Sequence, residues 1–118
     1  MTKHLKDIPD ITARRKAMLD ELVENGRGRD SSYTSGCAIG RWLGDELCER
    51  LEGEEDCRVW KIQHLLPAWL QEMDWRFLAE VQVLHDELPY WDAMSGYKSF
   101  NVHGENRVEL IRELWGLR

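Results

Sequence analysis

Between Asp74 and Pro89 the chain spells out one amphipathic helix with a start and a stop. Asp74 offers a carboxylate to the free amides of a first turn, and Pro89 cannot continue an α-helix. Inside these limits Phe77, Val81, Leu84 and Leu88 recur at helical spacing, with Leu78 beside them, and form a narrow apolar stripe. Such a stripe must be buried against other elements. No other part of the chain sustains the alternation of a half-buried strand, so the neighbours that cover it are helices too.

The remaining helices follow from the same signals. Asp10 caps a first helix running to about Asn25, and Gly26 stops it, with Met18, Leu19, Leu22 and Val23 on its broad apolar face. Residues 26–36 (GRGRDSSYTSG) are dense in turn formers and make the clearest loop, with room for a small hairpin near Tyr33. A second block starts near Cys37 with Ser35 as its cap. Gly44–Asp45 then reads as a break and a new cap, with Leu47 and Leu51 on the next turn and Gly53 as its end. Residues 58–66 look helical, and Pro67 opens a short helix or a corner. Residues 89–104 read as irregular, and a last helix over about 105–117 buries Val108, Ile111, Leu114 and Trp115. The expected fold is all-α: a compact bundle of five or six short helices in a single domain, with residues 1–9 as a flexible N-terminus.

Size and charge narrow the function. At 118 residues the chain makes one core, and its six tryptophans each remove a large apolar area from water. The net charge of −6 argues against direct nucleic-acid binding, which requires lysine and arginine against phosphates. The acidic residues concentrate in 44–56, where Asp45, Glu46, Glu49, Glu52, Glu54, Glu55 and Asp56 face only Arg50. Three cysteines, a polar first ten residues and the lack of a membrane-length apolar run point to a reduced, cytoplasmic setting without a membrane partner.

Several residues carry possible chemistry. Cys37 follows Ser35-Gly36 and would sit in a helical first turn, where the dipole and free amides favour a thiolate. It also reads as a small packing cysteine beside glycines. His85 lies about 45° from the centre of the apolar stripe and points at the edge of the core, where an imidazole could meet Cys37 as a base. Asp86 lies about 100° further round, faces solvent and is a poor orienting group for His85. Cys48, Cys57, His64, His85 and His103 match no structural zinc spacing, and no cofactor or metal is expected. Arg27 and Arg29 could bind a phosphorylated small ligand such as a nucleotide, although no strand precedes their loop as a phosphate-binding motif requires.

Two segments suit a protein partner. The acidic run is either a solvated face or a binding face for a basic partner surface. The connection after Pro89 brings Tyr90, Trp91, Tyr97 and Phe100 together, residue types that serve either a core or an interface hot spot.

Cys37-Ala38-Ile39-Gly40, then Asp45-Glu46-Leu47, then Leu78–Asp86 containing Gln82, His85 and Asp86, resemble a set of small phage and prophage proteins with a CAIG segment, a DEL turn and an LxxxQxxHD helix. Where that set has proline before Asp-Glu-Leu, this chain has Gly44. The resemblance spans roughly residues 30–90 and implies a phage-type accessory protein without implying an activity. The expected function is binding, with modulation or inhibition of a host protein, through the acidic and aromatic surface. The alternatives are a cysteine-dependent hydrolase or transferase using Cys37 and His85, and a nucleotide binder.

Overall fold

The computed structural model describes residues 4–26, 39–53 and 59–118. Its α-helices are α1 (Ile11–Asn25), α2 (Asp45–Glu52), α3 (Val59–Ile62), α4 (Ala68–Gln71), α5 (Trp75–Asp86) and α6 (Val102–Trp115), joined by short 3₁₀ turns. The chain is all-α, and among the described residues the β pairing is a single antiparallel bridge between Trp91 and Phe100. The hairpin expected before Cys37 falls outside the described residues. None of the described helices is long and apolar enough to cross a membrane.

Helix α5 is the centre of the packing. Phe77, Leu78, Val81, Leu84 and His85 are all wholly buried, and α1, α3 and α6 pack around them. Burying each of the large apolar side chains stabilises the fold by about 1.5–3 kcal/mol relative to exposure. Met18, Leu19 and Leu22 come from α1, Val59 and Ile62 from α3, and Val108 and Ile111 from α6. Leu88, expected to extend the α5 stripe, is 44% exposed, because α5 ends at Asp86 and the chain turns into a 3₁₀ segment, Leu88–Tyr90.

The caps explain the boundaries. The Asp10 carboxylate accepts from the Ala13 amide, and Gly26 ends α1 at φ 76°. A Cβ at Gly26 would also lie 2.5 Å from the Lys98 carbonyl oxygen, so both conformation and space demand glycine there. Gly44 is the cap of α2, one residue before the expected cap at Asp45, and it supplies no side-chain hydrogen bond. Asp74 caps α5 at φ 72°, and its carboxylate accepts from the Arg76 amide and guanidinium. These bonds offset the cost of the left-handed backbone.

Helix α6 starts at Val102, three residues earlier than the expected Glu105. Asn101 caps it by accepting from the Gly104 amide, while its own amide nitrogen donates to the Pro89 and Trp91 carbonyls. Glycine at 104 is not a break but a point of close approach to Tyr90 and Phe100.

The N-terminal segment is packed from His4 onward. Leu5 is wholly buried, and the His4 ring stands edge-on to Trp42 and Trp69 with centroids 5.5 and 5.3 Å away. Buried Arg14 holds this segment to α4: its guanidinium donates to the Ile8 and Trp69 carbonyls and pairs with Glu72 at 2.9 Å.

Candidate functional site

Two features of α5 bear on function. The first is a polar pair inside the core. His85 is fully buried, deeper than the core edge expected of it. Its Nδ1 lies 2.7 Å from Asp86 Oδ1, so Asp86, expected to be a poor orienting group, does contact the ring. The two side chains leave the helix about 100° apart. Asp86 is the last residue of α5, however, and its carboxylate turns back across the helix end while staying about one-third exposed. This contact orients the imidazole ring. The Trp91 indole closes the same end of the helix by donating to the Leu84 and His85 carbonyls at 3.0 and 3.1 Å. One turn back, Gln82 Oε1 is buried without a hydrogen-bond partner among the described residues.

The second feature is the outer face shared by α5 and α6. Arg76, Glu80, Val83 and Glu87 follow one another at four-, three- and four-residue steps and so share a stripe. His103, Arg107, Leu110 and Leu114 do the same on α6. The helices run antiparallel, so these stripes lie side by side with a cleft at each end. One cleft, about 510 Å³, is lined by Trp75, Arg76, Ala79, Glu80, Leu114 and Trp115. The other, about 560 Å³, is lined by Val83, Glu87, Pro89, Tyr90 and His103. Between them Arg107 pairs with Glu80 at 3.5 Å.

This face exposes large apolar groups. Trp75 is 39% exposed, Val83 46%, Leu110 42% and Leu114 62%. Leu114, expected in the core, points outward, while Trp115 is half-buried. The Trp115 ring is held edge-on to Phe77, its indole donates to Glu80, and the Arg15 guanidinium lies 4.8 Å from its centroid. The charges beside the first cleft are matched. Hydrogen bonding to the Arg76 guanidinium holds the Asp74 carboxyl below its ordinary value, against the upward pull of partial burial. Asp74 in turn raises Arg76.

The other sequence candidates scatter. On α2, Glu46, Glu49 and Glu52 are exposed while Cys48 and Leu51 are buried. The Asp45 side chain, Glu54, Glu55, Asp56, Cys57, Cys37, Arg27 and Arg29 lie outside the described residues. Trp91 is 2% exposed and stacks on Phe100, so it belongs to the core rather than to a contact surface; Tyr90 is half-buried and Tyr97 is 38% exposed. No three metal-ligating side chains converge among the described residues. The α5–α6 face was missed because Leu114, three residues after Ile111, reads as a core residue of the last helix. Comparison with protein-family models, with curated proteins and with solved structures finds no match to this chain.

Proposed function

We propose that this chain is a small phage- or prophage-type accessory protein that binds a host protein and modulates or inhibits it, docking through the α5–α6 face. One observation carries the docking face: Val83, Leu110 and Leu114 stand exposed on the two adjacent stripes and Trp75 beside them, four of the nine exposed large apolar side chains among the described residues. Exposed apolar side chains gathered around an ion pair suit a protein contact, and the tryptophan and arginine on this face are types enriched at interface hot spots. The net charge of −6 and the exposed Glu46 and Glu49 on α2 support a partner with a basic surface. The phage setting rests on the CAIG, DEL and LxxxQxxHD segments.

The test is affinity capture from host lysate with the native chain, Leu114→Glu and Met94→Glu. Met94 is 95% exposed and off the face. A protein retained by the native chain and Met94→Glu but lost by Leu114→Glu supports the reading. Equal retention by all three removes the α5–α6 face from it. Dimerisation of the chain abolished by Leu114→Glu would replace the host partner by a second copy.

A second reading, a cysteine-dependent hydrolase or transferase, is favoured by the Asp86–His85 hydrogen bond, which supplies the orienting carboxylate such a base needs. Full biological effect in a folded Cys37→Ser protein would end it.

A further inference from the structure

We infer that the cleft at the C-terminal end of α5 seats a basic side chain, lysine or arginine, presented by the protein that docks on this face. The carboxylates near α5 are almost all engaged by the chain itself. Asp74 is bonded to Arg76, Glu80 to Trp115 and Arg107, and Asp86 to His85. Glu87 differs: it is exposed, it lines the cleft, and among the described residues no hydrogen bond or ion pair engages its carboxylate.

The surroundings of Glu87 suit a long cationic side chain. Val83, 46% exposed, and Pro89 form apolar walls for an aliphatic stem. Tyr90 adds an aromatic ring to the wall, and a ring face attracts a guanidinium or ammonium. The Tyr90 backbone is fixed on this wall, because its amide donates to the Glu87 carbonyl and its carbonyl accepts from the Asn101 amide. The cleft lies at the C-terminal end of α5, the negative end of the helix dipole, although the Trp91 indole and the Glu87 amide already engage the Leu84, His85 and Val83 carbonyls. His103 also lines the cleft.

Other ligands fit less well. A phosphate would meet an unpaired carboxylate. A metal ion would find one carboxylate and one imidazole, short of a coordination set. A small free amine would fill the cleft but leave bare the rest of a face that runs about 17 Å from Arg76 to Glu87. Seating a basic side chain here presupposes that the α5–α6 face docks a protein, and it adds the partner's chemistry at one end of it.

The test is an amide NMR titration of the full chain with a capped Gly-Arg-Gly tripeptide. The neutral control is the same tripeptide with citrulline, which keeps the shape and removes the charge. Saturable shifts are expected at the amides of Val83, Glu87, Tyr90 and His103. Binding should weaken by about tenfold or more with citrulline or in Glu87→Gln, which removes a charge-assisted bond from an exposed site without touching the core. No shifts at these amides, equal shifts with citrulline, or undiminished shifts in Glu87→Gln would each overturn the assignment. The tripeptide needs no partner, so the two readings fail separately. If the cleft does not bind it while Leu114→Glu still loses capture, the basic seat falls and the docking face stands. If the cleft binds it while Leu114→Glu changes nothing in capture, the docking face falls, and the partner's side chain falls with it as occupant.

Discussion

Gly104→Ala should destabilise the protein although alanine is the better helix former. Glycine in a helix costs up to about 1 kcal/mol relative to alanine, and less in the first turn where Gly104 lies, so propensity alone predicts a gain. The packing reverses the sign. A Cβ at position 104 would sit 2.1 Å from the Tyr90 carbonyl oxygen, 2.5 Å from Phe100 Cδ1 and 2.9 Å from Phe100 Cβ. The first of these is backbone, held by the Asn101 amide at 3.0 Å, and the Asn101 side chain ties Pro89 and Trp91 to the same turn. Relieving the clash needs a shift of more than about 1 Å, which breaks that bond and loosens the cap of α6. Overpacking and one or two lost hydrogen bonds outweigh the propensity gain by about 2–4 kcal/mol. At about 4 °C per kcal/mol for a domain of this size, Tm should fall by about 8–16 °C. Thermal and urea unfolding followed by far-ultraviolet circular dichroism give the measurement. A Gly104→Ala protein as stable as the native one would refute the close approach of α6 to Tyr90.

Three further outcomes follow from the same geometry. Trp91→Phe removes an indole N–H shared by two α5 carbonyls and shrinks the stack on Phe100, and it should cost about 2–3 kcal/mol in urea unfolding, against less than about 0.5 kcal/mol for the exposed Met94→Ala; equal effects would contradict the buried placement of Trp91. Gln82→Met replaces a buried, unpartnered amide oxygen by a side chain of similar shape and should raise stability by about 1 kcal/mol, whereas a loss of similar size would show that the amide is engaged. On the acid side, burial pulls Asp20 upward, but hydrogen bonds and charge from Lys16 and Arg112 together outweigh it and hold the carboxyl below its ordinary value, and hydrogen bonding to Arg76 lowers Asp74 against a smaller pull of burial. Both folded carboxyls therefore titrate below their unfolded values, so their stabilisation is present above about pH 4 and fades as pH falls through the lowered values. The Asp20→Asn, Asp74→Asn double variant should show a shallower fall of Tm between about pH 4 and 2, and an unchanged slope would contradict these pairings.

Local signals made α1 and α5 legible. Asp10 and Asp74 cap them as their chemistry dictates, and Gly26 ends α1 where a positive φ is needed. Signals that depend on distant residues were not readable. Gly104 looks like a helix breaker until Tyr90 is placed against it, and Asn101 is a cap only because Pro89 and Trp91 hold it there. Arg14 reads as a surface residue on α1, yet it is buried because Ile8, Trp69 and Glu72 satisfy its guanidinium. His85 and Asp86 were legible as candidates, but helical angles alone separated them; the end of α5 at Asp86 frees the carboxylate to turn back. Leu114 misled in the opposite direction. Its three-residue step from Ile111 is that of a core residue, but it falls in the last turn of α6, on the side that faces the open cleft, and stays exposed.

Site-specific photo-crosslinking in host cells tests the docking face most directly. A photoreactive amino acid is placed in turn at Val83, Leu114 and the off-face Met94. The account predicts that Val83 and Leu114 crosslink to the same single protein and that Met94 does not. Crosslinks of equal yield from Met94, or none from either Val83 or Leu114, would contradict it.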